Sequence, residues 1–371
     1  MGTKSIEIDR SKRLRDEPQK GHNRWHPDIA PVIEVEPGED VALETRDAND
    51  LQIGPQTTAK DLEKLERGVA HPLTGPVCVK GARPGDLLEI EYLDILPEKY
   101  GWTRFAPGGG FLPDLFDKHF VTHWDITREH ATSPQLPGVR IPNGAFMGTA
   151  GLAPSREQLA RWAAREEELR ARGGRVWPQD PEGAVPAQGN VATKGLRTIP
   201  PRENCGNADV KQLTKGSHLF IPVNVEGGLY SVGDGHFAQG DSECCGTAIE
   251  MGATAVVRFK VYKNEAKAKN IVWPRFAHPG FFQPPEYGMP RNLIATMGMP
   301  ITPEGRNENC DITLAARNAV IEMIQLLEER GWTREQAYVL CSVAVDLRVS
   351  NVVDVPNVTV SALLPEDIFR G

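Results

Sequence analysis

The stretch GPVCVKGARPGDLLEIEYLDI, residues 75–95, decides the class of fold. Apolar and polar side chains alternate on both sides of Pro84-Gly85, a pattern typical of half-buried strands joined by a turn. The stretch PVIEVEPGEDVALETRDA, residues 31–48, repeats this pattern around Pro37-Gly38. Each stretch predicts a β-hairpin. The strands expected to pair are Val32–Val35 with Val41–Glu44, and Val77–Val79 with Leu87–Ile90.

The same alternation recurs further along the chain. GSHLFIPVNVEGGLYSVGDGH (residues 216–236) and TAVVRFKVYK (residues 254–263) both predict further strands. The chain has 36 glycines and 30 prolines, and they interrupt most of it every several residues. Such punctuation favours short strands and turns over long helices. The sequence therefore predicts a β-rich body.

Helical patterns are few. Residues 155–172 begin with a Ser155 N-cap and Gln158 three positions later, and Gly173-Gly174 ends the run. An apolar stripe over residues 311–330 and a second run from Thr333 predict a C-terminal helical pair spanning 311–349. The sequence thus predicts a β-rich α+β fold. Residues 112–198 are expected to form a loop-rich insertion with one helix, within a single composite unit, 1–371.

Composition and charge narrow the class of partner. The 371 residues carry a formal net charge of -8, with 42 Lys and Arg against 50 Asp and Glu, and no basic stripe. Nucleic-acid binding depends on clustered Lys and Arg, so a small-molecule partner is expected. The charged N-terminus lacks a signal-peptide core, and no apolar run approaches the ~20 residues of a membrane span. We therefore expect a cytoplasmic protein with no membrane partner.

The stretch SVGDGHFAQGDSECCGTAIEM, residues 231–251, holds the densest set of chemically capable groups. Asp234 and His236 are two residues apart, so on an extended strand they project from one face. A turn before Glu243 can fold that carboxylate back towards them. Carboxylates with imidazole suit a divalent metal such as zinc, manganese or iron. Such an ion activates water, and a spare carboxylate moves the proton.

Other interpretations of these residues remain open. Gly-Asp-Gly is a common turn, and a single histidine beside it is more often hydrogen-bonded than metal-bound. His71 and Asp47 can equally cap a turn or end a strand. A cysteine-nucleophile amidase would use Cys244 or Cys245, but the adjacent carboxylate raises a thiol pKa. The six cysteines fit no zinc-finger spacing, and free thiols are expected.

Several segments together resemble a known family. HNRWHPDIAP, ETRDA, HPLTGPVCVKGARPGDLLEIEYLDI, RENCGNADVKQLTKGS and SVGDGHFAQGDSECCGTAIEM, in this order, resemble the acetamidase/formamidase family, most closely its longer formamidase branch. The resemblance extends from about His22 to the late segment AYVLCSVAVDLRVSNVVD. Two departures are Ser242 in a motif that typically contains glycine, and the doubled Cys244-Cys245.

The resemblance implies both activity and architecture. The implied reaction is hydrolysis of a short aliphatic amide, formamide foremost, to carboxylate and ammonia. The implied fold has a jelly-roll-like β sandwich and a small β barrel, and the implied assembly is a homo-oligomer. A non-catalytic β-rich protein that binds a small molecule or a cation, and a lyase or isomerase on the same scaffold, remain alternatives.

The family motifs also turn scattered residues into one expected site. We predict a divalent metal, zinc, held among Asp47, His71, Asp234 and His236. Glu243 and Asp209 are the predicted catalytic acids, with Glu243 as the base that takes a proton from water. Asn204 and Asn207 are predicted to bind the substrate or to support the loop that carries Asp209.

Overall fold

The computed structural model of the protein describes residues 4–279 and 292–370, and strands dominate this part of the chain. The first ten strands are β1 Lys4–Ile6, β2 Gly21–His22, β3 Arg24–Trp25, β4 Ile33–Val35, β5 Asp40–Thr45, β6 Leu73–Val79, β7 Leu87–Phe105, β8 Phe120–Ile126, β9 His130–Thr132 and β10 Ile141–Pro142. The others are β11 Phe146–Leu152, β12 Leu196–Arg197, β13 Cys205–Asn207, β14 His218–Pro222, β15 Tyr230–His236, β16 Glu250–Tyr262, β17 Arg275–Ala277, β18 Leu293–Gly298, β19 Asp346–Asn351 and β20 Thr359–Pro365. The α-helices are α1 Arg156–Ala171, α2 Gly189–Lys194, α3 Glu265–Ala268, α4 Ile312–Glu329 and α5 Arg334–Ala344. Short 3₁₀ helices cover Leu14–Asp16, Pro18–Lys20, Asp61–Lys64, Arg67–Val69 and Glu366–Ile368.

One large sheet organises the molecule around β16. This strand pairs with β7 along one edge over most of its length, and with β15 and then β5 along the other edge. Buried Ala253, Ala255, Val257 and Phe259 alternate with more exposed neighbours, so the two-residue period puts one face into the core. The β-rich class that the sequence predicts is confirmed.

The predicted hairpin strands form, but their predicted pairings are wrong. β4 pairs in parallel with β6, whereas β5 pairs with β1 and β16. β6 pairs with β15, and β7 pairs with β16 and β14. Alternation reports which face of a strand is buried, and it carries no information about which distant strand supplies the hydrogen bonds.

The helix predictions are confirmed at their starts. Ser155 and Gln158 form the capping box of α1, and Asp311 and Thr333 cap α4 and α5. The prediction of helix to residue 349 is wrong, because Asp346–Asn351 forms β19 and pairs with β20. The segment DLRVSN forms an edge strand of a three-stranded sheet with the order β18-β20-β19. This sheet packs against α4.

Residues 112–198 contain more regular structure than one helix. Both α1 and α2 lie there, and β11 pairs with β15 and β13 inside the large sheet. A continuous cluster of buried apolar side chains joins the sheet to α4 and α5. Across the described residues no sheet closes into the predicted small barrel, and the jelly-roll-like arrangement and the single composite unit stay predictions. No helix in 4–279 or 292–370 has the length and apolarity to cross a bilayer.

Candidate active site

Two neighbouring strands and two turns bring ionisable side chains together. β15 carries Asp234 and His236, and β16 begins with Glu250, which lies opposite His236 in the antiparallel register. Asp209 follows β13, and Glu243 lies in the turn between β15 and β16. We call these five residues the site cluster.

His236 occupies the centre of the site cluster. Its Nε2 lies 3.2 Å from Glu250 Oε2 and 3.5 Å from Asp234 Oδ1. Its Nδ1 lies 3.1 Å from Gln239 Oε1, which can only accept, so this bond puts a proton on Nδ1. Nε2 is thereby directed at the two carboxylates.

The charges in the site cluster perturb one another strongly. Burial lowers the pKa of His236, but Glu250 and Asp234 outweigh burial and raise it well above its usual value. Burial raises the pKa of Asp234, but His71 and His236 outweigh it and lower that pKa. Asp234 is therefore the acid of the site cluster that stays ionised, whereas the other three acids bind a proton more tightly than a free carboxyl group does.

The pKa values of the other three acids, Asp209, Glu243 and Glu250, are raised. Burial, together with the charges of Asp234 and Glu250, raises the pKa of Asp209 to about 8. Burial and the charge of Asp209 raise the pKa of half-buried Glu243 well above its usual value. Burial also raises the pKa of Glu250, although the imidazole of His236 opposes it. Carboxyl groups tuned in this way suit proton transfer near neutral pH.

The backbone is strained where these acids are held. Asp209, Asp234 and Glu243 have φ angles of 48°, 59° and 51°, in the left-handed region. Non-glycine residues adopt this region rarely, and it costs of the order of 1–3 kcal/mol per residue. The surrounding structure holds three site acids in conformations that local preference disfavours.

The site cluster has the donor set and the space for a cation. Ligand atoms of Asp209, Asp234 and His236 lie within 4.8 Å of one another, as do those of His236, Glu243 and Glu250. Four buried atoms of the site cluster have no hydrogen-bond partner among the described residues: Asp209 Oδ1, Asp234 Oδ1, His236 Nε2 and Glu250 Oε2. A Cβ on Gly148 would lie 2.7 Å from Asp209 Oδ1 and 2.9 Å from Asp234 Oδ2, so glycine keeps this space open. Carboxylate oxygens with one imidazole nitrogen fit a divalent metal.

The other predicted residues lie at different distances from the site cluster. His71 Nδ1 is 3.8 Å from Asp234 Oδ2. Both carboxylate oxygens of buried Asp47 accept backbone N–H groups, from Asn49 at 2.8 Å and Leu51 at 3.0 Å. This is a turn cap, and Asp47 lies apart from the grouped ligand atoms.

The two predicted asparagines differ. Asn207 lines the cavity, and its Oδ1 lies 2.5 Å from the hydroxyl of Thr149, which in turn is 3.1 Å from Asp234 Oδ2. Asn204 is buried and donates to the Leu152 carbonyl at 2.9 Å. Asn204 thus ties the loop before Asp209 to β11, and only Asn207 of the pair faces the cavity.

Sequence reasoning missed Glu250, Gly148 and Thr149. A signal for Glu250 was present, because it is a lone charge within the otherwise apolar AIEMGATAVV run. Thr149 and Gly148 lie on a strand that the sequence analysis placed inside a loop-rich insertion. Nothing in their local sequence indicated that β11 passes beside β15.

Three residues of the site cluster, Asp234, Glu243 and Glu250, line a cavity of about 500 Å³ together with His71. Cys245 also lines it, but its Sγ contacts the backbone carbonyls of Thr247 and Arg104 at 3.5 and 3.7 Å. Burial raises the pKa of the Cys245 thiol to about 11, and that of Cys244 rises as well. All six cysteines are free, as expected, and this pair lacks the features of an activated nucleophile.

Known proteins match the chain over nearly its whole length. Residues 7–371 match the family described as Acetamidase/Formamidase family. The chain is 37% identical to an acetamidase of Mycolicibacterium smegmatis over 90% of this chain and 87% of the relative. It is 34% identical to a formamidase of Methylophilus methylotrophus over 98% of this chain and 93% of the relative.

A solved structure is equally similar. The gamma lactamase from Delftia acidovorans superposes with a TM-score of 0.94 at 35% identity, over 99% of this chain and 93% of that one. The resemblance that the sequence motifs indicated is confirmed. The chain is an amidohydrolase and belongs to the Acetamidase/Formamidase family.

Proposed function

We propose that this enzyme hydrolyses formamide or a close linear analogue with the help of a divalent metal, zinc, in the site cluster. The observation that supports the metal is the convergence of buried ligand atoms within 4.8 Å, four of them without a hydrogen-bond partner among the described residues. Buried polar atoms without partners are costly, and a cation compensates that cost.

Asp234 and His236 would hold the ion, with Asp209 or Glu250 completing the set. His236 suits this role because the Gln239 contact directs its Nε2 at the carboxylates. When bound, the metal supplies Lewis acidity, which polarises the amide carbonyl and lowers the pKa of water. Asp47 is left out of the ligand set because its oxygens already accept two backbone N–H groups.

Glu243 would act as the base. It lines the cavity, it is half-buried, and a carboxylate at this position can accept a proton from water and return it. It takes a proton from the attacking water and delivers it to the leaving nitrogen. Asp209 would act on Glu243 through its charge, which raises the pKa of the Glu243 carboxyl group.

Asn207 would steady the oxygen of the amide. Because its Oδ1 is engaged by Thr149, its Nδ2 is the part of the side chain left to donate. A donor in a buried site is worth most where negative charge develops on the carbonyl oxygen. The buried Cys244 and Cys245 take no part in this scheme.

The test combines metal content with ammonia release. Purified enzyme should contain about one zinc per chain and release ammonia from formamide. Removal of the metal with a chelator should abolish activity, and added zinc should restore it. Full activity in a protein free of divalent metal, as measured by elemental analysis, would contradict the metal proposal and leave the amidohydrolase assignment intact.

A cyclic amide is the second candidate substrate. The specific observation is the close superposition on a gamma lactamase over almost the whole chain. The cavity volume of about 500 Å³ also accommodates a five-membered ring. Appearance of the ring-opened amino acid from a γ-lactam, measured by chromatography, tests this candidate.

We also propose a cytoplasmic homo-oligomer. Six free thiols agree with a reducing compartment. Apolar side chains at Met297, Val353 and Val355 are 65%, 73% and 71% exposed and lie on or beside the three-stranded sheet. Light scattering on the purified protein measures the number of subunits, and a monomer at all concentrations would contradict the assembly.

A further inference from the structure

Three arginines line the cavity that holds the site cluster: Arg67, Arg104 and Arg175. The acids that line it are Asp234, Glu243 and Glu250, which belong to the site cluster, and Glu66. Glu66 is engaged by Arg13 and Arg15 at 2.9 and 3.0 Å. The cavity is therefore lined by carboxyl groups and by guanidinium groups, and among the described residues no ion pair within 4.0 Å joins Arg67, Arg104 or Arg175 to one of these acids.

Arg104 is the most enclosed of the three. Within residues 4–279 and 292–370 its side chain forms no ion pair and no hydrogen bond, and its Nε is shielded from solvent. The guanidinium lies 5.9 Å from the centre of the Trp102 ring. Its backbone is fixed by Thr247, whose hydroxyl bonds the Arg104 nitrogen at 2.9 Å and its oxygen at 2.8 Å. Arg104 is thus held beside the turn that carries Glu243.

Arg67 and Arg175 add charge nearer the solvent. Both are exposed, and Arg175 donates to the Gly108 carbonyl at 2.7 Å, which leaves its charge unpaired. By contrast, Arg165 and Arg202, also outside the large sheet, each face a glutamate at 2.6–2.7 Å. Arg104 is partly shielded from solvent and forms no ion pair among the described residues, so it is the guanidinium of the three that gains most from a bound anion.

The cavity is also too large for a minimal substrate. Formamide has three heavy atoms, and a water molecule takes up roughly 30 Å³ of liquid. A volume of about 500 Å³ is of the size that encloses a considerably longer ligand. The guanidinium groups that line this space are suited to bidentate contact with a carboxylate.

We infer that the preferred substrate is a linear amide that carries a carboxylate at its other end, such as the monoamide of a short dicarboxylic acid. Arg104 binds the carboxylate, with Arg67 and Arg175 adding charge, while the amide lies against Glu243. Hydrolysis adds one water across the C–N bond and releases a dicarboxylate and ammonium. This inference rests on the proposed function for the chemistry at the amide.

The first test compares matched substrates on wild-type enzyme. Ammonia release is measured for the monoamides of malonic, succinic and glutaric acid and for neutral aliphatic amides of equal length. We expect kcat/KM for the best monoamide to exceed that of its neutral partner about 10- to 100-fold, the range of a charge-assisted contact. N-formylglycine, assayed for formate release, tests whether the carboxylate must lie on the acyl side.

The second test uses Arg104→Gln and Arg175→Gln, with Arg161→Gln as the matched control. Arg161 is an exposed arginine of α1 that does not line the cavity. The readout is the ratio of kcat/KM for the monoamide to that for the neutral amide. We expect this ratio to fall about 10-fold or more in Arg104→Gln, by less in Arg175→Gln, and to stay at the wild-type value in Arg161→Gln.

The outcomes separate the inference from the proposed function. Equal rates on charged and neutral amides, or a ratio that Arg104→Gln leaves unchanged, would overturn the inference alone. A uniform loss of kcat on every amide in Arg104→Gln would assign Arg104 to catalysis and overturn it too. If Arg104→Gln does not fold, the inference is decided by the comparison of charged and neutral amides on wild-type enzyme and by the ratio measured for Arg175→Gln. No hydrolysis of any amide would contradict the proposed function itself.

Discussion

Two largely buried clusters of charge include residues that lie close together in the sequence around Glu243, and they are built in opposite ways. In the first, the site cluster, four carboxylates surround one histidine and leave buried atoms without partners among the described residues. In the second, Lys211 contacts Asp346 directly and lies 3.9 Å from Asp241. The backbone N–H of Asp241 and the side chain of Gln212 supply further hydrogen bonds. We call Lys211, Asp241 and Asp346 the Lys211 cluster.

The difference separates structure from chemistry. The Lys211 cluster pairs opposite charges and satisfies them, which is what a buried ion pair needs in order to support a fold. The site cluster accumulates like charges whose pKa values are displaced in opposite directions, which is costly for the fold and useful for a reaction. Substitutions should therefore affect activity in one cluster and stability in the other.

The largest loss of activity is expected for Asp234→Ala. Asp234 has the lowered pKa of a group that stays ionised, and it contributes to one of the two grouped sets of ligand atoms. Its removal should eliminate both metal content and ammonia release, while circular dichroism shows a folded protein. An Asp234→Ala enzyme with normal metal content and rate would make Asp234 a turn residue and break the comparison.

The next effect is expected for Glu243→Gln. The amide keeps the shape of the side chain but cannot accept a proton, so kcat should fall by ~10²–10⁴-fold. Metal content, measured in parallel, should stay at the wild-type value. Loss of metal, with partial rescue by added metal, would instead make Glu243 a ligand.

Gly148→Ala should be milder but diagnostic. The added Cβ would approach Asp209 Oδ1 and His236 Cε1 at 2.7 Å each and force site-cluster side chains to move. A displacement of about 1 Å in a reacting group can cost ~10²-fold in rate, so we expect a loss of up to that size. Gly54→Ala is the control, because a Cβ at Gly54 meets nothing within 4 Å. Equal rates for both variants would show that the space beside Gly148 is not used.

Substitution of the thiols should have a smaller effect. Burial raises the pKa of both Cys244 and Cys245, so neither provides a thiolate at neutral pH. Cys244→Ala and Cys245→Ala should each keep most of the activity, and iodoacetamide should inhibit weakly. Complete loss in a folded variant would favour a cysteine nucleophile.

The smallest effect on activity, and a large one on stability, is expected for Asp346→Ala. The substitution leaves the buried Lys211 without its closest acid, and breaking a buried pair costs ~3–5 kcal/mol. Urea unfolding should show this loss, while kcat of the folded enzyme changes far less than in Glu243→Gln. A large fall in kcat without a loss of stability would show that the Lys211 cluster supports the reaction and not only the fold.

Much of this molecule was readable in its sequence. The alternation of residues 254–263 predicted β16, and the Ser155 and Thr333 caps fixed the starts of two helices. These features depend on neighbours within a few residues, because side-chain periodicity and capping hydrogen bonds are local. The two-residue spacing of Asp234 and His236 likewise placed both in the site cluster.

Long-range partners were decided by the tertiary structure. β4 and β5 follow one another in the chain, yet they pair with β6 and β16, because pairing depends on which distant strand satisfies the backbone. For the same reason Asp47, which the family motif grouped with the ligands, caps a turn, whereas Glu250 faces His236 across the β15–β16 register. The sequence by itself determined which groups are available for chemistry; burial and distance, which arise only when remote segments pack, decided which of them meet.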